Sequence, residues 1–184
     1  MYDVEAFLTG IKPSLLLSTA HPLFEKVLAY PSLEIDLIDD RPQYLFFHTE
    51  KERACFAKRV DPLSHRSPAF HRELGLVLGY PPKAVEFYVR KKECQDQCNW
   101  HDLQLLKAKI AGLHYAGIGC NSNVDDLWDN AHWLWNTYRQ DEILNIRVDA
   151  KLLPVKYRDE NDLMKVIQQA KRTLEQSGSR VRSG

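Results

Sequence analysis

The stretch FHRELGLVLGYPPKAVEFYVRKK, residues 70–92, decides the architecture of the middle of the chain. Apolar residues recur at helical spacing on both sides of a Gly-Tyr-Pro turn. Gly79 is suited to end the first helix with a left-handed conformation, and Pro81 restricts Tyr80 to an extended backbone. A serine followed by a proline supplies a cap and a first-turn residue for that helix. The sequence therefore predicts a helical hairpin over residues 68–92.

The hairpin matches the geometry of a DNA-reading helix-turn-helix, but it lacks the matching chemistry. The first turns of a recognition helix carry side chains that reach base edges. Here those turns hold two prolines, Lys83 and Glu86, so they offer few donors and a carboxylate that phosphate repels. The basic cluster at residues 90–92 is equally explained by the helix macrodipole. We expect no strong nucleic-acid binding and keep a nucleic-acid-binding or protein-interaction hairpin as the alternative function.

The composition is that of an ordinary globular domain. Of 184 residues, 44% are hydrophobic and 27% are charged. The 25 basic and 25 acidic residues balance, so no net field attracts the chain to nucleic acid or to an anionic membrane. The first residues are acidic where a signal peptide is basic, and four cysteines without a signal indicate reduced thiols. These features predict a soluble cytoplasmic protein without membrane contact.

The pattern along the chain predicts an α+β fold that is mainly helical. We expect one domain over residues 1–176, with a candidate sub-boundary at the proline-rich segment 61–68 and a flexible tail at 177–184. Alternating and aromatic runs predict a small antiparallel sheet around residues 33–48, with 143–157 as a candidate extension. Apolar periodicity further predicts one long helix that begins near Trp100 and ends at Gly117.

Two motifs resemble those of an uncharacterised prokaryotic family, which carries a GIKP element near its start and a HEIGLFLGYP element in its middle. The match covers Gly10 to Pro13 and then eight later positions: Glu73, Gly75, Leu76, Leu78, Gly79, Tyr80, Pro81 and Val85. About half of the chain is covered, and the family's closing element of glycine, tryptophan, lysine, valine and tyrosine is absent. The family's histidine falls at Arg72, whereas a second uncharacterised group with HRELG-x-x-LGYP fits His71 directly. Neither resemblance implies a reaction.

The hairpin supplies the leading candidate site. A tyrosine fixed by the turn can donate a hydrogen bond to a ligand, and a histidine exchanges protons near neutral pH. We predict a small-ligand-binding module, with the question of an enzymatic reaction left open, as is homo-oligomerisation. The expected partner is an unidentified small molecule. The candidates are three catalytic and three ligand-binding residues: His71, Glu73 and Tyr80, then Arg72, Gly75 and Gly79.

A cysteine and histidine cluster has spacing that suggests a metal site. Cys94, Cys98 and His101 offer two thiolates and an imidazole, and zinc would need a fourth ligand. The cluster lacks the two-residue spacing between cysteines that is usual in structural zinc sites. We therefore predict no metal and no cofactor, and keep this cluster as the metal alternative.

The segment GIGCNSN, residues 117–123, suggests a second alternative. It precedes a predicted helix, and a helix N-terminus favours a thiolate. Cys120 is thus a candidate nucleophile, paired with His114 or His132. Two aspartates in the first turn of that helix argue against a nucleotide-binding loop.

Overall fold

The computed structural model describes residues 2–37 and 42–181, with side chains through Gln176. This part of the chain is α+β and mainly helical, as predicted, and none of its helices is long and apolar enough to cross a membrane. The helices are α1 (Asp3–Leu8), α2 (Glu50–Val60), α3 (Pro68–Val77), α4 (Pro82–Asp96), α5 (Trp100–Lys107), α6 (Leu127–Tyr138) and α7 (Glu160–Val181).

A three-stranded antiparallel sheet contains β1 (Ser14–Ser18), β2 (Ser32–Ile35) and β3 (Gln43–Phe47), with β3 in the middle. The predicted pairing of β2 with β3 is confirmed, while their turn at residues 38–41 lies outside the described residues. Strand β1 was not predicted, because its run SLLLS lacks strict alternation. Its partner β3 contributes Phe47 to a core shared with Phe56 of α2 and Phe70 of α3.

A second antiparallel sheet has the order β5-β4-β6-β7 and is covered by α6 and α7. Its strands are β4 (Ile110–Tyr115), β5 (Ile118–Asn123), β6 (Leu144–Val148) and β7 (Lys151–Val155). Segment 143–157 therefore forms strands as expected but belongs to this separate sheet rather than extending the first. Leu113, Trp135 and Leu163 join the strands and helices in the largest core cluster.

The predicted long helix over residues 100–117 is wrong. Helix α5 ends at Lys107, and the chain continues into the β4-β5 hairpin. The cause is the turn: Ala116 and Gly117 both have positive φ angles, of 50° and 76°, as a two-residue hairpin of the right twist requires. Gly117, which we interpreted as the end of a helix, is the second residue of that turn.

The helical hairpin is confirmed, since α3 and α4 are separate helices joined at Gly79. The Ser67 hydroxyl accepts a hydrogen bond from the Phe70 N–H at 3.2 Å, as a capping residue should. Segment 61–68 links α2 to α3. At the other end of the chain, α7 continues to Val181, beyond the predicted domain end at 176, and residues 182–184 lie outside the described part.

Candidate functional site

The LGYP turn is a Schellman motif at the end of α3. Gly79 has a φ of +79°, and its N–H donates to the Leu76 carbonyl at 3.0 Å. The Tyr80 N–H donates to the Gly75 carbonyl at 3.1 Å. The backbone of Tyr80 is therefore fixed by a hydrogen bond on one side and by Pro81 on the other.

The two motifs that carry the resemblance contact each other at this turn. A Cβ atom added to Gly79 would lie 2.9 Å from the Pro13 ring and would collide with the Tyr138 hydroxyl. That hydroxyl donates to the Gly79 carbonyl at 2.6 Å, and the Ser14 hydroxyl donates to the Val77 carbonyl at 2.8 Å. The GIKP segment and helix α6 thus hold the turn from two directions.

A first cavity of about 630 Å³ lies between the helical hairpin, the three-stranded sheet and β5. Its volume is within the range of small-molecule sites, which are mostly apolar with a few directed polar groups. Its walls fit that description. The apolar lining includes Leu16, Leu37, Leu74, Leu78, Val85 and Tyr88, and the polar lining includes Gln43, Arg66, His71, Tyr80, Lys92, Gln95 and Asn121.

A second cavity of about 400 Å³ lies beside the first and is more polar. It is formed by the N-terminal segment, the β4-β5 hairpin and the start of β6. Tyr80 and Gly119 line both cavities, so the tyrosine stands at their common wall. The polar residues of the second cavity are Asp3, Lys12, Tyr80, His114, Glu142 and Asn145.

Tyr80 is therefore placed where a ligand could meet its hydroxyl. Burial raises the pKa of Tyr80 to about 12, with smaller contributions from Cys120 and Asp3, so the phenol is protonated at neutral pH. Within the described residues, its hydroxyl makes no hydrogen bond to protein. The side chain is only partly buried, and its hydroxyl is a donor available to a molecule in either cavity.

His71 lines the first cavity, where its ring packs edge-on against Tyr88 at a centroid distance of 5.5 Å. Burial lowers the pKa of His71, Lys92 lowers it further, and Asp96 raises it. The imidazole is therefore neutral at pH 7 and can accept a proton or a hydrogen bond. His71 and Tyr80 are the two predicted catalytic residues that the fold brings to one cavity.

The structure does not bring Glu73 or Arg72 into either cavity. Glu73 pairs with Arg59 of α2 at 3.1 Å, and Arg72 forms two bonds with Glu86 of α4 at 2.6 and 2.9 Å. Positions 71 and 73 lie on different sides of α3, as helical geometry requires. The constellation of His71, Glu73 and Tyr80 that we expected is therefore not assembled.

Gly75 has a packing role that helix geometry explains. A Cβ atom at this position would lie 2.8 Å from Cγ2 of Val85, so the missing side chain lets α4 approach α3 closely. Gly75 also lines the first cavity. Gly79 lines neither cavity, and its role is to allow the turn that fixes the backbone of Tyr80.

The alternative metal cluster is dispersed. Cys94 is buried against Phe87, Leu103 and Leu106, whereas Cys98 and His101 are exposed. Within residues 2–37 and 42–181, no three His, Cys, Asp or Glu side chains converge on a metal-sized site. The geometry gives the zinc alternative no support.

The alternative nucleophile, Cys120, lies inside strand β5 rather than at a helix N-terminus, so the expected dipole effect is absent. Burial raises the pKa of its thiol to about 12, which disfavours the thiolate. His114 pairs across the hairpin with Gly119, one position away, so it faces the other side of the sheet. His132 uses its ring nitrogens on the Trp128 carbonyl and Glu160. The geometry does not favour nucleophilic chemistry at Cys120.

Lys12 is the site residue that sequence reasoning missed. It is only 3% exposed, it lines the second cavity, and burial lowers the pKa of its amine despite the opposing effect of Asp3. The GIKP motif contained a signal for it, since only Pro13 separates Lys12 from the strand β1. A lysine buried this deeply is uncommon.

No protein-family model, curated protein or solved structure matches the chain.

Proposed function

We propose that the protein is an intracellular small-ligand-binding module whose site is the first cavity beside the LGYP turn. The observation that carries this proposal is the Tyr80 hydroxyl, a protonated donor without a protein partner among the described residues, at the wall of a cavity of about 630 Å³. A Schellman motif fixes its backbone, so the donor is held in place before a ligand arrives.

The lining of the first cavity indicates a largely apolar ligand with a few polar atoms. Apolar atoms form most of its surface, beside the basic side chains of Arg66 and Lys92, and removing apolar surface from water would drive binding. Tyr80 would donate to an acceptor on the ligand. His71, neutral at pH 7, would accept from a donor or take up a proton if the ligand is a substrate.

Two broader attributes belong to the same proposal. We place the protein in the cytoplasm because the cysteines at positions 55, 94, 98 and 120 are all free thiols, as expected of a reducing compartment. We also propose kinship with the uncharacterised prokaryotic family. The contact between Pro13 and Gly79 supports this kinship, because it shows that the two shared motifs pack against each other.

The alternative, a hairpin that binds nucleic acid or a protein, is less well supported. Helix α4 contacts α3, β5, α5 and α6, so it does not project as a recognition helix would. Lys83 at its start pairs with Asp126 and Asp129 at the start of α6. Lys91 lies over the Tyr88 ring at 5.3 Å. These cations are largely engaged within the protein.

Fluorescence titration with the neutral apolar dye Nile red tests the proposal. We expect about one dye per chain and an increase in emission. Asn121 is exposed at the cavity edge on β5, so Asn121→Trp would fill the space with little change to the core. We expect that variant to weaken dye binding about tenfold, equivalent to about 1.4 kcal/mol.

The matched control is Asn161→Trp, an exposed position on α7 outside both cavities. It should bind the dye as the unmodified protein does. If Asn121→Trp also binds the dye unchanged, the ligand does not enter the first cavity and the proposal fails.

A further inference from the structure

The first cavity has an apolar floor and a polar rim. The floor is formed by side chains that are at most 5% exposed: Leu74, Leu78, Ala84 and Val85. The rim is formed by exposed or half-buried polar side chains: Arg66, Lys92, Gln95 and Asn121. A molecule that fills this cavity therefore places apolar surface inside and a polar group at the mouth.

The charged side chains of the rim carry one sign. Among the lining residues that the structure describes, Arg66 and Lys92 are cationic and none is a carboxylate. Because the interaction between two charges weakens with distance, these lining cations act on a ligand more strongly than charges outside the lining. A negative group is therefore favoured at the mouth over a positive one.

Each cation is held by an acidic partner that does not line the cavity. Nη2 of Arg66 is 3.5 Å from a carboxylate oxygen of Asp36, and Nζ of Lys92 is 2.7 Å from one of Asp96, a helical turn further along α4. An ammonium has three N–H donors. The bond to Asp96 therefore positions the Lys92 ammonium and leaves it able to donate to a ligand as well.

The acidic partners limit the charge that the mouth can accept. Asp36 and Asp96 would repel the two negative charges of a phosphate monoester more than the single charge of a carboxylate. Burial lowers the pKa of His71 and Lys92 lowers it further, so this lining histidine adds no charge at pH 7. The Gln95 amide adds N–H donors that a carboxylate oxygen can accept from. A carboxylate is thus the head group that matches the rim.

We infer that the ligand of the first cavity is a carboxylic acid with a hydrocarbon body. Its carboxylate accepts hydrogen bonds from the Lys92 ammonium and the Gln95 amide at the mouth. Its hydrocarbon body lies on the floor against Leu74 and Val85. This inference rests on the proposed function, because it names the ligand class of the same cavity.

Displacement of Nile red by decanoate, decanol and decyltrimethylammonium tests the inference. The three probes have hydrocarbon chains of similar length and differ in the charge of the head group. We expect decanoate to displace the dye at a concentration about tenfold lower than either of the others. Equal or better displacement by decanol or decyltrimethylammonium would overturn the inference while the proposed function stands. Absence of dye binding would overturn both.

Two substitutions at the rim locate the carboxylate. Lys92→Met removes the ammonium, and Gln95→Glu adds a negative charge beside it. Each should weaken decanoate binding about tenfold and leave decanol binding unchanged, because decanol carries no charge. The matched controls are Lys58→Met on α2 and Gln104→Glu on α5, two exposed positions outside both cavities. They should change the binding of neither probe.

The comparison of decanoate with decanol separates a binding role of the rim from a structural one. A variant that only disturbed the shape of the cavity would weaken both probes alike. Gln95→Glu should also strengthen the binding of decyltrimethylammonium, which a disturbed cavity would not. Equal losses for decanoate and decanol, or unaltered decanoate binding in both rim variants, would overturn the inference.

Discussion

The two cavities beside Tyr80 differ in chemistry although they share a wall. The first lies under the helical hairpin, and most of its lining is apolar. The second lies against the N-terminal segment and contains Lys12, Asp3 and Glu142. One is suited to apolar surface and the other to charge.

The difference shows how one rigid turn can serve two environments. The Schellman motif at Gly79 fixes Tyr80, and the strand β5 supplies Gly119, the other residue common to both cavities. Packing of Pro13 on Gly79 brings the polar cavity to the apolar one. The turn is therefore the feature whose loss should affect both cavities together.

The largest expected effect is that of Gly79→Ala. The substitution adds a methyl group against Pro13 and the Tyr138 hydroxyl in a backbone conformation that L residues rarely adopt. An alanine in the left-handed conformation costs about 1–2 kcal/mol and overpacking costs about 1–3 kcal/mol. We therefore expect the free energy of unfolding to fall by about 3 kcal/mol. Urea unfolding measures it.

Gly10→Ala is the matched control for that substitution. Gly10 has a nearly identical φ of +78°, but an added Cβ would have no atom within 4 Å. We expect only the backbone cost, about 1 kcal/mol. Equal losses at the two glycines would mean that the contact between the motifs contributes nothing.

We expect a smaller loss of unfolding free energy for Gly75→Ala, which alters only the first cavity. The new methyl group would lie 2.8 Å from Val85 and push α4 away from α3. Overpacking of about 1–3 kcal/mol is partly offset by the better helix propensity of alanine, about 1 kcal/mol, so the net loss should be about 1 kcal/mol. Nile red titration should change, because Gly75 and Val85 both line the first cavity.

The double variant Gly75→Ala/Val85→Ala checks the cause of that loss. Removing the two Val85 methyl groups makes room for the new one, so the two changes should couple favourably in a double-mutant cycle. Strictly additive losses would contradict close packing as the reason for glycine.

A pH effect, smaller still, is expected from His71. Its pKa is lowered in the folded protein by burial and by Lys92, so the unfolded chain binds a proton first as pH falls. The contribution of His71 to the unfolding free energy is complete above its pKa in the unfolded chain, about 6.5. This contribution is lost as the pH falls towards the lower pKa of the folded protein. His71→Gln should flatten stability against pH below 6.5.

His101→Gln, at an exposed position on α5, is the control for the pH series. It should leave the acid branch of the stability curve unchanged. An unaltered curve in His71→Gln would mean that His71 is protonated equally in both states.

The helical hairpin was predictable from sequence because its signals are local. A serine cap, a first-turn proline, and a glycine followed by Tyr-Pro each restrict the backbone within a few residues. The β4-β5 hairpin was not, because Gly117 is equally suited to a helix end and to a two-residue turn. Only pairing with β6 decides between them, and that contact is distant in sequence.

The site was predictable only in part for the same reason. His71 and Tyr80 are close in sequence and reach one cavity, whereas Glu73, also close, is directed to Arg59 of another helix. Lys12 lies 68 positions before Tyr80 and joins it only through the packing of Pro13 on Gly79. Burial of its amine depends on the whole fold.

The unfolding free energy of Tyr80→Phe tests most directly whether the Tyr80 hydroxyl serves a ligand and not the fold. Tyr138→Phe is the control at the same turn, because the Tyr138 hydroxyl donates to the Gly79 carbonyl at 2.6 Å. Losing that hydrogen bond should cost about 1.5 kcal/mol. We expect the unfolding free energy of Tyr80→Phe to stay within about 0.5 kcal/mol of that of the unmodified protein, because no hydrogen bond is lost. A loss in Tyr80→Phe as large as that in Tyr138→Phe would mean that the Tyr80 hydroxyl serves the fold.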